Sequence, residues 1–185
     1  MNTNQTINNI MTEKTFKQIN LIQSIIVIVT TILLFYCFFG STVVKTGSME
    51  PTIHVGSPVI YRYAEPTAMD YGDIVLFFYD ADRNTEITNN FDVMFNNRVN
   101  GLTIYVKRLM GKPGDVMEII DGYMCRNGER LYEVKEVMEA MEPYIVPENS
   151  FYCLGDNRAD SYDSAFCGAF SQNVFFGKEV LHLNF

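Results

Sequence analysis

Thr46-Gly47-Ser48-Met49-Glu50-Pro51-Thr52 sets one small hydroxyl, Ser48, between two residues that shape the backbone. Gly47, lacking a Cβ, lets the main chain approach another molecule closely, and Pro51 fixes the path just beyond. Thr46 adds a second hydroxyl two positions before Ser48. On an extended backbone, residues two apart share a face, so a strand presenting both hydroxyls is expected. The stretch also divides the chain. An apolar run precedes it, and short β-rich runs follow.

Leu21 to Phe39 reads LIQSIIVIVTTILLFYCFF, with Gln23, Ser24, Thr30 and Thr31 as its polar members. A helix needs about 20 such residues to cross a bilayer. A secretory signal peptide is the competing reading. Its apolar core usually has only about 7–15 residues and closes on small side chains. This run closes on Phe-Tyr-Cys-Phe-Phe-Gly, so an uncleaved anchor over residues 20–40 is expected. Residues 1–19 form a polar, Asn- and Thr-rich tail, either poorly ordered or a short helical extension. Lys14 and Lys17 precede the anchor and Lys45 follows it. The positive-inside bias places the N-terminus in the cytoplasm and residues 41–185 outside, with the chain crossing the cell membrane once.

Beyond the anchor, strand-like runs alternate with turn signals. The runs are Ser57–Tyr63, Asp73–Tyr79, Leu102–Leu109, Val116–Ile120, Tyr123–Cys125 and Ser150–Leu154. Gly72-Asp73, Lys112-Pro-Gly-Asp115, Asp121-Gly122 and Asn127-Gly128 punctuate them, and the last two are hairpin turns by composition. Lys135 to Met141 could form one short helix, and Thr85 to Asn100 reads as a polar surface loop or loose hairpin. The expected fold is mainly β: an antiparallel barrel- or sandwich-like domain after one N-terminal transmembrane helix.

The chain has 185 residues, enough for one membrane element and one compact domain. Its net charge of −8 argues against a nucleic-acid partner, which would call for clustered Lys and Arg. Cys125, Cys153 and Cys167 lie beyond the anchor without any CxxC spacing, so zinc is not indicated and buried free thiols are the plain reading.

A serine is a weak nucleophile and needs a base. His54 lies six residues from Ser48, about 20 Å away if the chain is extended. His182 is isolated near the C-terminus in an apolar setting. Lys107 interrupts the apolar run Ile104-Tyr-Val-Lys-Arg-Leu109, sharing a strand face with Tyr105 and Leu109. Burial disfavours a charged amine. Bringing a lysine from its ordinary pKa of about 10.4 to near neutrality costs about 4 kcal/mol. A lysine snorkelling at a strand edge fits the same residues.

Ser48-Met-Glu-Pro-Thr followed by Tyr105-Val-Lys-Arg resembles a Ser-Lys protease pattern. Gly72-Asp-Ile-Val-Leu-Phe77, Lys112-Pro-Gly-Asp115 and Leu154-Gly-Asp-Asn-Arg-Ala-Asp-Ser-Tyr-Asp-Ser164 extend it in order. Behind an N-terminal anchor, the set resembles bacterial type I signal peptidase over most of residues 41–180. The resemblance implies Ser48 as nucleophile and Lys107 as general base. It implies the Ser48 N–H and the Thr46 hydroxyl as oxyanion donors, and Ser161 as the hydroxyl that orients the lysine. Asp156 and Asp163 take structural positions. Val44, Met49, Leu76, Tyr105 and Val106 line shallow pockets for small side chains. The activity implied is cleavage of signal peptides from exported preproteins by a monomer beside the lipid bilayer, with no metal or other cofactor.

Besides Phe166-Cys-Gly168, which differs from the usual aromatic-Gly step, two positions depart from the family pattern. Tyr71 stands where a basic residue usually precedes Gly-Asp, and Ala165 where an arginine follows Asp-Ser. The second leaves Asp156 and Asp163 short of a partner unless Arg158 compensates. The Asp-rich block fails as a calcium loop. With Asp156 first, Ser161 falls where Gly is required and Cys167 where Glu is. Two other readings compete: a self-cleaving repressor-type Ser-Lys peptidase, and a non-catalytic membrane-anchored relative.

Overall fold

A computed structural model describes residues 3–79, 103–134 and 141–185, with side chains from residue 15. The expected loop over Thr85–Asn100 lies outside the described residues, as does all of the expected helix over Lys135–Met141 except Met141, which begins a strand. The chain divides into two compact units, Met1–Phe39 and Gly40–Phe185.

The first unit is helix α1, Thr3–Phe38. It runs unbroken through the point where a tail was expected to give way to an anchor. Thr15–Phe38, 24 residues with mean hydropathy 2.4, is long and apolar enough to cross a membrane. At 1.5 Å per residue it spans about 36 Å, against about 30 Å for a hydrocarbon core. Ser24 and Thr31 bond the carbonyls of Asn20 and Val27 one turn back, at 2.9 and 2.8 Å. Such bonds let polar side chains sit in an apolar helix without stranding a donor.

The second unit is antiparallel β, and its larger sheet curls into a half-barrel. Its strands are β1 (Phe39–Val43), β2 (Pro58–Tyr63), β3 (Ile74–Phe78), β4 (Ile104–Gly111), β5 (Val116–Ile120), β6 (Tyr123–Arg126), β7 (Glu129–Glu133), β8 (Met141–Ile145), β9 (Ser150–Leu154), β10 (Phe170–Ser171) and β11 (Phe175–His182). A seven-stranded sheet runs in the order β1-β2-β11-β3-β4-β9-β10, and a four-stranded one in the order β7-β6-β5-β8. The runs expected between Ser57 and Leu154 correspond to β2, β3, β4, β5, β6 and β9. Both hairpin turns form as their sequences require. Asp121 and Gly122 have φ of 52° and 80°, and Asn127 and Gly128 have 53° and 81°.

β3 explains why the large sheet has two cores. Ile74-Val-Leu-Phe-Phe78 is buried at every position. Ile74, Leu76 and Phe78 pack with Met49, Ile53, Val106 and Phe176 on one side. Val75 and Phe77 pack with Leu109, Cys153, Phe170 and Phe175 on the other. A strand covered on both faces shows a continuous apolar run rather than alternation. β3 and β4 are in register with Val75 opposite Lys107 and Leu76 opposite Val106. This places an amine in the middle of a buried sheet.

After β4 the chain turns at Lys112-Pro-Gly-Asp115, with Gly114 at φ 85°. The Asp115 carboxylate accepts from Lys112 N at 2.7 Å, Asn127 Nδ2 at 2.8 Å and the Tyr71 hydroxyl at 3.0 Å. Tyr71 also offers its ring face to the Arg126 guanidinium at 3.8 Å and to Lys112 Nζ at 4.7 Å. The aromatic residue at this position therefore gathers cations where a basic one was expected.

Candidate active site

Ser48 does not sit on a strand. Gly47–Met49 form a single 3-10 turn after the extended Thr46. The side chain of Met49, fully buried, pins this turn into the core, and Ile53 N donates back to Met49 O at 2.9 Å. The turn aims Ser48 inward, and its side chain ends against β4.

Lys107 Nζ donates to Ser48 Oγ at 2.6 Å. Only 3% of Lys107 and 7% of Ser48 is exposed. Burial pushes the Lys107 ammonium down to about 8. The Asp163 carboxylate pulls it back up, while the Arg158 cation pushes it down. An amine in this range is partly neutral near physiological pH and can take a proton from a hydroxyl it touches. Thr46 Oγ1 lies 3.4 Å from Ser48 Oγ, on the same edge of the turn. The snorkelling alternative for Lys107 is excluded by its burial.

The histidines do not compete. His182 Nδ1 faces Glu179 Oε1 at 3.3 Å, and His54 is exposed, its backbone N–H on Asn184 Oδ1 at 3.2 Å. The distance argument against His54 fails in its premise, because the chain is turned there rather than extended.

The segment after β9 grips the serine turn from outside. Asn157 N donates to Ser48 O at 3.0 Å, and Asn157 Nδ2 to Gly47 O at 3.1 Å. Asp163, wholly buried, organises this segment. It accepts from Gly155 N at 2.9 Å, Ala165 N at 3.1 Å, the Ser161 hydroxyl and the Arg158 guanidinium. It also caps the short helix α2, Ser164–Cys167. Asp156 receives Arg108 Nε at 2.8 Å and Nη2 at 2.5 Å, a two-pronged pair. The expectation that Ala165 leaves both acids short of a partner is therefore corrected. Arg108 serves Asp156 and Arg158 serves Asp163, because both guanidiniums fold back from within the same two motifs.

Ser161 bonds Asp163, and among the described residues no hydrogen bond joins it to Lys107. A cleft of about 530 Å³ opens over Ser48 and Lys107. Val44, Met49, Tyr105 and Val106 line it as expected. Leu76 is absent from its walls and is fully buried behind Val106 in the core. Thr42, Asp160 and Tyr162 are among the further wall residues that were not anticipated. Asn157, Arg158 and Asp160 lay within the quoted Asp-rich block, but no periodicity marked which of them turns toward the serine.

A hydroxyl and a desolvated amine in hydrogen-bond contact under an open cleft have the chemistry for attack by a serine with a lysine as base. The model of the family described as signal peptidase, peptidase S26, matches residues 17–183, and the chain belongs to that family. It is 29% identical over 143 residues to a "Probable signal peptidase I-2" of Synechocystis sp., covering 73% of this chain and 58% of that one. It is 29% identical over 147 residues to a signal peptidase I of Leptolyngbya laminosa, covering 75% and 65%. The chain thus spans under two thirds of the length of these relatives. A crystal structure of a signal peptidase I from Enterococcus faecalis is similar at 22% identity and TM-score 0.39, over 60% of this chain and 97% of that one.

Proposed function

We propose that the chain is a membrane-anchored serine endopeptidase that removes N-terminal signal peptides from exported preproteins, cutting after small residues. The observation that carries this reading is the 2.6 Å contact between a buried lysine amine and a buried serine hydroxyl.

Neutral Lys107 takes the Ser48 proton as Ser48 Oγ attacks the scissile carbonyl. The Ser48 N–H and the Thr46 hydroxyl receive the developing oxyanion, each such donor contributing about 3–4 kcal/mol in comparable sites. The Lys107 ammonium then protonates the leaving amine, and water clears the acyl-enzyme with Lys107 again as base. Ser161 acts on the lysine at second hand, through Asp163 and the Gly155 turn. Val44, Met49, Tyr105 and Val106 bound the space for small substrate side chains, with Leu76 backing them.

Residues 20–40 anchor the chain after a cytoplasmic tail of residues 1–19, and residues 41–185 work as a monomer on the far side of the cell membrane. The apolar helix and the Lys14 and Lys17 flank support that topology.

The test is cleavage of a preprotein by the full chain in proteoliposomes. Ser48→Ala and Lys107→Ala should each abolish it. Persistent cleavage by either variant, or externally added protease failing to reach the domain on intact cells stripped of their outer layers, would overturn the corresponding part of the reading.

A further inference from the structure

The Arg158 guanidinium has two anchors. Nη1 donates to Asp163 Oδ2 and to Gly155 O at 3.3 Å, and Nη2 lies 3.4 Å from Asp163 Oδ1. Asp163 in turn holds Gly155 N, so both backbone groups of Gly155 are tied to this one ion pair. Gly155 abuts the Ser48 carbonyl oxygen, which Asn157 N also holds. We infer that Arg158 is a positioning residue: through Asp163 and Gly155 it holds the Ser48 turn in place and so fixes the contact between Ser48 and Lys107. This rests on the proposed use of that contact.

Stability alone does not account for the arginine. A buried ion pair roughly breaks even against an apolar replacement. Arg158 also carries a cost, because its Nε is buried without a hydrogen-bond partner among the described residues. Lysine would not substitute, since a point charge cannot span the carboxylate and the Gly155 carbonyl as a planar fork does. Position 165 offers an independent check. Ala165 N already bonds the other oxygen of Asp163, and its side chain is only partly buried. A long cation planted there starts beside the same carboxylate.

Among the described residues, the charged and titratable groups that act most on Lys107 include Asp163, Arg158, Asp160 and Cys153, together with Asp156. The Tyr105 ring lies 5.8 Å from its amine. Removing Arg158 takes away a cation and leaves Asp163 unbalanced. Both changes favour the protonated amine. The low-pH limb of the rate profile then moves to higher pH, which a purely structural residue would not cause.

The experiment compares the wild-type full chain with Arg158→Met, Arg158→Lys and the double variant Arg158→Met/Ala165→Arg. It reads preprotein cleavage against pH, thermal unfolding, and the Lys107 amine titration by NMR of the methylated protein. Arg158→Met should lose about tenfold or more in kcat with KM within about twofold, and both titrations should move up in pH. Arg158→Lys should fall between, and adding Ala165→Arg in the double variant should restore both. An unchanged profile in Arg158→Met overturns the inference. If that variant fails to fold, the double variant decides, and its failure to recover both fold and profile overturns it as well. A wild-type chain that cleaves nothing would sink the proposed function, while the NMR titration still judges the positioning role.

Discussion

The space that a Cβ on Gly155 would occupy is already filled by the Ser48 carbonyl oxygen, closer than 3.0 Å. The Ser161 side chain crowds the same point. Two segments far apart in sequence thus meet at a spot that admits no side chain. Ser48 is positioned by what Gly155 lacks as much as by what Lys107 supplies.

Gly155→Ala should therefore displace the serine turn. Overpacking of this kind typically costs about 1–3 kcal/mol. We expect that loss in a thermal or denaturant melt. Cleavage should suffer more than stability, because Ser48 Oγ loses its 2.6 Å alignment with Lys107. A folded Gly155→Ala protein with full kcat would contradict the close approach.

The rate of cleavage should rise with pH through about 8, where Lys107 loses its proton. Stability should follow the same group. Its folded pKa lies below the unfolded value, so between about 8 and 10.5 the unfolded chain binds more protons and stability rises with pH. Below about 8 the penalty is present in full. Lys107→Met removes it and should stabilise the protein at pH 7 by about 1–3 kcal/mol while abolishing activity. Melting curves at pH 7 and 10 check both signs, since the gap between variant and wild type should shrink at the higher pH.

Asp156 should govern part of the acid limit of stability. Burial raises its pKa, but hydrogen bonds from Arg108 and Thr52 and the Arg108 charge outweigh burial and leave it lowered. A depressed carboxylate contributes stability above its unfolded pKa of about 3.9 and loses it as pH falls through the folded value. Arg108→Met strands the acid and should cost about 3 kcal/mol at pH 7. Acid titration of wild type and variant, followed by circular dichroism, should show this difference shrinking toward low pH.

Tyr71→Leu removes the ring under Arg126 and the hydroxyl on Asp115. A loss of about 1–2 kcal/mol is expected from a cation–π contact and a hydrogen bond together. Ser48 and Lys107 keep their neighbours, so kcat and its pH profile should not move. A shifted profile would mean that the Lys112–Asp115 turn communicates with the site.

The residues themselves determined the class of fold and the apolar helix, and they singled out Ser48 and Lys107, which the structure brings into contact. Hairpin pairs such as Asp121-Gly122 and the all-apolar β3 are local signals, read from φ preference and from hydrophobicity over a few residues. β1, β7, β8, β10 and β11 escaped that reading. β11, Phe175–His182, carries Gly177 and two charges, and it becomes a central strand only because β2 and β3 flank it. The strand expected at Ser48 became a 3-10 turn because burying Met49 matters more than extending the backbone. Leu76 matched a pocket position by sequence and sits one layer deeper by packing. Partner choice among the charges was decided by tertiary structure alone. Arg108 reaches Asp156 and Arg158 reaches Asp163. Which cation meets which carboxylate depends on where separate segments close on each other, and that information is spread over the whole sheet.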